Sequence, residues 1–351
     1  MNQVDLAVLG ADWLSTRTGA ALDVVDTHTA GNPTRIVVGG LVPPDGVREV
    51  ADVRAWLRSS ADWVRRRLVH EPRGGGLTCA VVPVPSTGPD HDLGAVILEP
   101  GSYPPMCGHC MIGLAVAVDE TGLVPGTVTG NRRELAIRTP AGVVRTAVTR
   151  AGGKASVVEL TNVDAWFVDG WRQELGGRQV RVDLSWGGDH YAAVDAAELG
   201  VALRPESALD IVGLARELAR SLADRPPRDP VTGEVLEVYQ VLFYERLDTA
   251  DGPACRVVVV APPGEIDRSP CGTGTSALLA LRLARGEIGA EDVLVTRSII
   301  DSRFEARAGR SRHGDGRLVV TPVVTGSAHV TGFSRVVADP FDVLRDGFAP
   351  I

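Results

Sequence analysis

Runs of β-branched and aliphatic residues, separated by turn-forming residues, recur along most of this chain and predict many strands. The first stretch, residues 21 to 41, holds two such runs joined by a turn of Thr, Gly, Asn and Pro, which predicts a hairpin. Further strands are predicted at residues 79–84, 93–98, 138–148, 156–160, 178–184, 235–244, 256–261 and 317–324. The chain is therefore expected to be rich in strands.

Two segments show helical spacing of apolar positions instead. From Arg48 to Leu68 the apolar residues fall mostly three and four positions apart, and Ala208 to Ala223 repeats this pattern. Both segments predict amphipathic surface helices that act as scaffold. The Pro-rich residues 225–234 and the polar residues 307–317 are predicted to be exposed loops without a catalytic role.

Composition and charge narrow the class of function. The 351 residues carry Lys+Arg 36 against Asp+Glu 44, a net charge of −8, and 44% of them are hydrophobic. This length exceeds what one core usually organises and predicts two domains. The acidic balance, without any basic run, argues against nucleic acid or an anionic membrane as partner and favours a small molecule.

The termini and cysteines suggest a compartment. Residues 1–20 lack the cationic start of a signal peptide, and no apolar run approaches the ~20 residues that span a bilayer. The five cysteines are an odd, sparse set in a long chain, which argues against a disulfide framework. We therefore expect a cytoplasmic protein with free thiols.

The most informative pattern is an internal repeat. Residues 104–122 and 268–286 each run from a Pro-containing turn through Cys-Gly into an apolar helical run that stops at a Gly. The repeat pairs Cys107 with Cys271. Each unit predicts a buried helix that begins at or just after its cysteine, and two such units imply two similar α/β halves.

Helix N-termini give these two cysteines a chemical meaning. The first N–H groups of a helix lack partners within it and carry the positive end of its dipole, so they favour a thiolate by up to about 2 kcal/mol. This would lower a thiol pKa from about 8.5 to roughly 7. Two cysteines facing one cleft would settle as one thiolate and one thiol. Such a pair can take a proton from one face of a carbon and return one to the other.

Other interpretations of the cysteines are weaker. Cys79 and Cys255 lie in strand-like stretches and are expected to be ordinary buried residues. Cys107 and Cys110 spell C-x-x-C, which is typical of a redox motif or of half a zinc site. No second C-x-x-C follows, and the Cys271 unit fits neither interpretation, so we expect no metal.

The strings MCGH (106–109) and DRSPCGTGTSA (267–277) resemble the signature of the proline racemase family, which includes proline racemases, 4-hydroxyproline 2-epimerases and trans-3-hydroxyproline dehydratases. Further strings that match the family cover most of the chain: VDTHTAGNPTRIV (25–37), EPRG (71–74), TPAGVV (139–144), GGDHYAAVDA (187–196), SIIDSRF (298–304) and VTGFSRVVADP (330–340). The resemblance implies an α/β (α+β), diaminopimelate-epimerase-like fold of two pseudo-symmetric halves, each a barrel-like sheet around a central helix. We assign residues 20–152 plus 330–351 to the half with Cys107, and residues 153–329 to the half with Cys271.

The same resemblance implies catalysis without a cofactor, with Cys107 and Cys271 as the acid/base pair. It further implies these substrate-binding residues: Gly108, His109, Gly272 and Thr273, whose N–H groups would hold the carboxylate, and Asp267, which with His109 would meet the ring nitrogen. Two helix N-termini aimed at a carboxylate would stabilise the charge that develops as the α-proton leaves. Asp267 is expected equally as a turn or capping residue. His28 is expected to be structural.

Departures from the family pattern bear on the substrate. Where relatives commonly read GGNFYA, this chain has Asp189 and His190, which predict a more polar pocket. Where hydroxyproline epimerases tend to carry a substrate-binding histidine, this chain offers Tyr239 or Gln240. Dehydratases of the family typically have Thr in place of the second cysteine, and here Cys271 is present, which favours inversion.

Together these observations predict an isomerase independent of pyridoxal phosphate that inverts the α-carbon of a cyclic imino acid, 4-hydroxyproline slightly ahead of proline. A trans-3-hydroxy-L-proline dehydratase and a non-catalytic imino-acid-binding protein are the alternatives. The expected partner is the small-molecule substrate, and a homodimer is left open.

Overall fold

Strands dominate the computed structural model, which describes residues 21–124, 128–250, 252–262 and 264–349. The signal-peptide prediction concerns residues 1–20, which lie outside the described residues. None of the helices in the described ranges has both the length and the apolar character that crossing a bilayer requires.

The strands occur in two series along the chain. The first series and its C-terminal addition are β1 (Leu22–Thr29), β2 (Asn32–Gly39), β3 (Cys79–Pro85), β4 (Leu93–Leu98), β5 (Val128–Thr129), β6 (Arg132–Thr139), β7 (Gly142–Ala151), β8 (Lys154–Thr161) and, at the end, β18 (Ala328–Val336). The second series is β9 (Ala165–Leu175), β10 (Arg178–Trp186), β11 (His190–Asp195), β12 (Gln240–Arg246), β13 (Ala254–Ala261), β14 (Glu265–Ile266), β15 (Leu294–Arg297), β16 (Arg303–Gly314) and β17 (Arg317–Gly326).

The helices are few. They are α1 (Val50–Ser60), α2 (Trp63–Val69), α3 (Gly108–Thr121), α4 (Ala196–Leu199), α5 (Ala208–Asp224) and α6 (Gly272–Ala284), with a 3₁₀ turn at Pro205–Ser207. The predicted helix at 208–223 is confirmed as α5. As the spacing of its apolar residues predicted, one face of this helix is buried. That face consists of Ile211, Ala215, Leu218 and Leu222.

The two series repeat one pattern of strand directions. In the first, β2 and β3 are parallel, β4 runs antiparallel to β3 and parallel to β6, and β7 and β8 follow as antiparallel neighbours. In the second, β11, β12, β13, β15, β16 and β17 repeat these relations in the same order. The chain thus contains the same topology twice, with α3 and α6 at corresponding places.

Each series forms a barrel-like sheet. β9 pairs with both β10 and β17, so the second series closes on itself. In the first, β18 pairs with β1 and packs beside β8. β8 also pairs with β17, which joins the two sheets. The predicted boundaries of the two halves stay a prediction.

The two cysteine-led helices fill these sheets. α3 is buried from Gly108 to Asp119 and packs on β1, β8 and β18, while α6 is buried from Gly272 to Arg282 and packs on β9, β10 and β17. A helix that is apolar around its whole circumference must be enclosed, and strands supply the enclosure here. The two helices lie in adjoining sheets, and their N-termini, where the cysteines are, lie next to each other.

Some local predictions are wrong. The strand predicted at residues 138–148 is divided between β6 and β7, which a tight turn at residues 140–141 joins.

The single helix predicted from Arg48 to Leu68 is broken at Ala61 into α1 and α2. Asp62 precedes α2, and its carboxylate accepts hydrogen bonds from the Arg65 guanidinium and the Tyr103 hydroxyl. The loop predicted at residues 307–317 is mostly strand. Asp315 and Gly316, both at positive φ, form a two-residue hairpin loop between β16 and β17. The polar residues of this segment lie on an exposed stretch of β16, and their polarity led to the prediction of a loop.

Candidate active site

The N-termini of α3 and α6 meet at a buried cavity. Both repeat cysteines line it, as do His109, Thr273 and Asp267. Cys107 is the N-cap residue of α3, and Cys271 is the N-cap residue of α6. The structure therefore brings to one place two thiols that lie far apart in the sequence.

Two glycines allow the helices to come this close. Gly108 and Gly272 are the first residues of α3 and α6, and a Cβ added to Gly108 would lie 2.7 Å from the Gly272 Cα. A Cβ added to Gly272 would lie 2.9 Å from the Gly108 Cα. Since non-bonded carbon atoms prefer separations of about 3.5 to 4.0 Å, any side chain here would push the two N-termini apart.

Cys271 is held by several hydrogen-bond donors. Its backbone has φ 59° and ψ 111°, a strained conformation for a residue with a side chain. Its sulfur accepts the N–H of Gly274 at 3.3 Å and lies 3.4 Å from the Tyr191 hydroxyl and 3.6 Å from the Thr273 hydroxyl. As donors, the Gly274 N–H and the Tyr191 hydroxyl favour a negative charge on the sulfur.

Cys107 is paired with a histidine whose tautomer is set by its neighbours. The N–H of Arg268 donates to Oδ1 of Asn32, so the Asn32 amide nitrogen is the atom that faces His109 Nε2, at 3.3 Å. In neutral His109, Nε2 then accepts and the ring proton is on Nδ1, which lies 3.2 Å from the sulfur of Cys107. Since Nε2 lies 3.8 Å from the same sulfur, Cys107 lies beside the imidazole ring.

Burial governs the protonation of these thiols. It raises the pKa of Cys107 to about 12 and that of Cys271 to about 11, and the nearby Asp267 carboxylate raises the Cys271 pKa further. The expected pKa near 7 is therefore wrong, because the loss of hydration on burial outweighs the favourable helix N-terminus. Burial also disfavours a charged His109, but the negative charges of neighbouring thiolates raise its pKa well above the ordinary value. A Cys107 thiolate and a protonated His109 thus stabilise each other.

Three carboxyl groups also line the cavity. Burial raises the pKa of Asp267, Glu99 and Asp189, and Asp189 reaches about 7. Asp267 Oδ1 accepts the Ser269 N–H at 2.7 Å, so it forms the expected turn while it also lines the cavity. Gln240 lies here too and hydrogen-bonds Asp189. A cationic group would be stabilised in this acidic surrounding.

The structure does not bring every predicted residue to the cavity. Successive residues of a strand point to opposite faces, so Tyr191 faces the cavity whereas His190 packs edge-on against Trp186, with ring centroids 4.8 Å apart. Tyr239, just before β12, borders α5 and does not line the cavity, but its side chain hydrogen-bonds Ser102, close to Glu99 and Asp189. His28 accepts the Gly31 N–H at 3.2 Å and does not line this cavity.

Sequence reasoning missed four residues of the site. They are Tyr191, Asn32, Glu99 and Cys79, all of which line the cavity, and Cys79 was expected only to fill space. Strand alternation was the one signal that could have identified Tyr191 over His190. Cys79 enters because β3 passes beside the start of α3, where the ligand atoms of Cys79, His109 and Cys110 lie within 4.8 Å of one another.

Comparisons with known proteins agree on one family. The family model described as Proline racemase matches residues 24–349. A proline racemase of Clostridioides difficile is 34% identical over 331 residues, which are 93% of this chain and 98% of that protein. A 4-hydroxyproline 2-epimerase of Streptosporangium roseum is 34% identical over 337 residues, 95% of this chain and 99% of that protein.

A solved structure agrees as well. The crystal structure of a hydroxyproline epimerase from Agrobacterium vitis, with bound trans-4-OH-L-proline, has a TM-score of 0.84 and 30% identity, and the match covers 95% of this chain and 96% of that one. This likeness confirms the predicted α/β, diaminopimelate-epimerase-like fold class. With a family match over most of its length and relatives above 30% identity along nearly all of it, the chain belongs to the proline racemase family.

Proposed function

We propose that this protein inverts the α-carbon of a cyclic imino acid, proline or 4-hydroxyproline, with Cys107 and Cys271 as the two acid/base residues. One observation carries the proposal: the two cysteines cap equivalent helices of a duplicated topology and line the same buried cavity. Proteins named proline racemase and 4-hydroxyproline 2-epimerase are each 34% identical to this chain.

The reaction uses the two sulfurs in turn. One cysteine, as thiolate, takes the α-proton from one face of the substrate, and the electron pair of the broken C–H bond passes into the carboxylate. The other cysteine, as thiol, gives its proton to the opposite face. One sulfur gains the proton that the substrate loses, so the enzyme ends with thiol and thiolate exchanged. This chemistry needs no further group.

The helix N-termini bind the carboxylate in this proposal. The N–H groups of Gly108, His109, Gly272 and Thr273 belong to the first turns of α3 and α6, which have no acceptors within their helices. As the α-proton leaves, the substrate carboxylate gains a second negative charge, and two positive helix ends stabilise it. The interaction is stronger in the transition state than in the ground state and therefore accelerates the reaction.

The ring nitrogen meets the acidic side of the cavity. Asp267 and Glu99 have carboxyl groups with a pKa raised by burial, and a secondary ammonium between them would favour their ionised forms. Asp189 and Gln240 lie on the same side and are available to a ring substituent such as a hydroxyl group. The imino acid would lie between these groups and the two helix N-termini, all of which line the same cavity.

Free, buried thiols suit a reducing compartment. All five cysteines are unpaired, and two of them must stay reduced for this chemistry. We therefore place the protein in the cytoplasm.

The test is solvent isotope exchange. The protein is incubated in D₂O with D- and L-proline and with trans-4-hydroxy-L-proline and its 2-epimer, followed by polarimetry and mass spectrometry. Inversion with one α-deuterium in the product is expected. Cys107→Ser and Cys271→Ser should each nearly abolish it, while Cys255→Ser, a buried cysteine away from the cavity, should not.

Three other results would overturn the proposal. Dehydration of trans-3-hydroxy-L-proline to a pyrroline without inversion of any imino acid would make the protein a lyase. Binding of the imino acids without any α-deuterium exchange would make it a binding protein. Full activity in either cysteine variant would refute the two-sulfur mechanism.

A further inference from the structure

Three thiols and one imidazole crowd one side of the cavity. The sulfurs of Cys79 and Cys110 and a ring nitrogen of His109 all lie within 4.8 Å of one another, and all three residues are buried. Nε2 of His109 lies 3.5 Å from the Cys110 sulfur and 3.8 Å from the Cys107 sulfur. The proposed inversion gives Cys79 and Cys110 no task.

We propose that Cys79, Cys110 and His109 form a binding site for a thiophilic divalent ion of the Zn²⁺ class, with Cys107 at the fourth position, and that the bound ion inhibits the enzyme. Cysteine sulfur and imidazole nitrogen are the ligands that Zn²⁺ prefers, in tetrahedral sets of four. From the sequence, we expected no metal at the C-x-x-C motif because no second pair of ligands follows it. In the folded chain, Cys79 and His109 lie beside Cys110 and can supply the missing ligands.

The distances suit this ion. With Zn–S bonds of about 2.3 Å and Zn–N bonds of about 2.0 Å, tetrahedral ligand atoms lie roughly 3.5 to 3.8 Å apart. The two sulfur-to-Nε2 distances of 3.5 and 3.8 Å lie in this range. An ion on Nε2 therefore fits beside the Cys110 sulfur, whereas the Cys107 sulfur, which lies 3.2 Å from Nδ1, reaches the ion only when its side chain turns toward Nε2.

The elements that carry the ligands are rigid. Cys79 begins β3, and His109 and Cys110 lie in the first turn of α3. The His109 tautomer is also suitable, because Nε2 carries the free lone pair and Nδ1–H faces Cys107. An ion would replace the contact between Nε2 and the Asn32 amide.

The charge of the occupied site is small. On binding, the Cys79, Cys110 and Cys107 thiols each release one proton to the solvent, and the three thiolates with neutral His109 leave the complex with one net negative charge. The positive N-terminus of α3, where three of the four ligands lie, stabilises that charge. Cys107 lies close enough to complete the set, and a sulfur bound to the ion can no longer accept the substrate's α-proton.

The site is tested on the full-length, reduced protein without substrate. Equilibrium dialysis against Zn²⁺, with elemental analysis, measures stoichiometry and affinity, and Co²⁺ gives a thiolate-to-metal charge-transfer band. We expect one ion per chain and that band. Cys79→Ala and Cys110→Ala should each weaken binding by roughly 100-fold or more. Cys255→Ala, a matched buried cysteine in β13, should bind like the wild type.

Two results would overturn the site. One is the absence of stoichiometric Zn²⁺ binding to the wild-type protein. The other is unchanged binding in both Cys79→Ala and Cys110→Ala, which would assign the ion to Cys107 and Cys271 alone. Circular dichroism of the metal-free variants shows whether each is folded, and a Cys110→Ser variant replaces Cys110→Ala if the latter is not.

The inhibitory part rests on the proposed function. Zn²⁺ should abolish imino-acid inversion, a chelator should restore it, and substrate should slow its onset. The fraction of activity that survives a fixed Zn²⁺ concentration should be higher in Cys79→Ala and Cys110→Ala than in Cys255→Ala. Equal fractions in all three would refute inhibition through this site. If the wild-type protein inverted no imino acid, the binding measurements would still decide whether the site exists.

Discussion

The phenolic oxygen of Tyr191 lies 3.4 Å from the sulfur of Cys271 and 2.6 Å from the hydroxyl of Thr273. Burial, together with the charge of a Cys271 thiolate, raises the pKa of Tyr191 well above its ordinary value, so the phenol stays protonated and can donate. The two hydroxyl groups form a chain in which Thr273 donates to Tyr191 and Tyr191 donates to the sulfur. Tyr191 is therefore a positioning and charge-stabilising partner of the second cysteine.

Replacing Tyr191 by Phe should slow inversion. A hydrogen bond to a charged group contributes about 1.5 to 3 kcal/mol, which corresponds to a roughly 10- to 100-fold lower kcat. The pH at which kcat reaches half its maximum should also rise, because the Cys271 thiolate loses a donor. The control is Tyr244→Phe in β12, a buried tyrosine that does not line the cavity. Equal kcat values and pH profiles in both variants would show that Tyr191 only fills space.

The contact between Gly108 and Gly272 makes a second prediction. Gly108→Ala places a methyl group 2.7 Å from the Gly272 Cα, and both atoms belong to helices that the sheets enclose. We expect a loss of about 1 to 3 kcal/mol in unfolding free energy and a near-complete loss of inversion, because the two N-termini no longer meet one carboxylate.

The control for this prediction is Gly213→Ala, an exposed position in α5 where an added Cβ meets nothing within 4 Å. It should raise the unfolding free energy by about 0.5 to 1 kcal/mol and leave activity unchanged. Denaturant unfolding and the exchange assay measure both quantities. If Gly108→Ala behaved like Gly213→Ala, the close approach of the helices would have no role in the reaction.

The repeat was enough to predict the centre of the site. Cys-Gly followed by small residues and an apolar run identified where α3 and α6 begin, and both helices start directly after their cysteines. What the repeat could not show was the surroundings. The alternation of β11 could show that Tyr191 and His190 face opposite sides, but not that Tyr191 meets Cys271. Cys79 reaches His109 through the parallel pairing of β2 and β3, a non-local contact that leaves no trace in the spacing of residues.

The pKa that we predicted for the two thiols from the helix N-termini is too low, and the reason is physical. The helix N-terminus is a local feature that a sequence reveals, and its effect on a thiolate is favourable. The burial of Cys271 results from the packing of two sheets and two helices around it, and burial acts in the opposite direction. The hairpin of β16 and β17 was missed for a related reason. Asp315-Gly316 is a local signal for a hairpin turn, but the exposed, polar residues of β16 made the whole segment look like a loop.

Because Asp189 is buried, we expect the free energy of unfolding to depend on pH. Burial raises its pKa from 3.8 to about 7, so between these values the folded protein binds a proton that the unfolded chain has lost. Stability therefore falls as pH rises through this range and levels off above it, at a cost of roughly 4 kcal/mol at most. Asp189→Asn cannot ionise but keeps the oxygen that accepts the His190 N–H.

The measurement is denaturant unfolding of both proteins without substrate at about pH 5 and about pH 8. The variant should gain stability relative to the wild type as pH increases. A difference in unfolding free energy that stays the same at both values would mean that Asp189 is ionised throughout. Binding of an imino acid should weaken in the variant as well, because the acidic side of the cavity loses a charge.

The Cys271 thiol should react with iodoacetamide slowly at neutral pH. Its pKa of about 11 follows from burial, with a further increase from the Asp267 carboxylate, so the thiolate fraction grows about tenfold with each pH unit up to that value. The alkylation rate of the Cys271 peptide, followed by mass spectrometry in the presence of a chelator, should rise across the alkaline range without levelling off.

A thiol activated by the helix N-terminus alone, with a pKa near 7, would instead reach a constant rate above about pH 8. That profile would show that the N–H of Gly274 and the positive end of α6 outweigh desolvation on burial. Cys255, whose pKa burial raises to about 12, provides the internal comparison. If the substrate covers the Cys271 sulfur as the proposed function requires, saturating proline or 4-hydroxyproline will suppress alkylation of Cys271 and leave the rate at Cys255 unchanged.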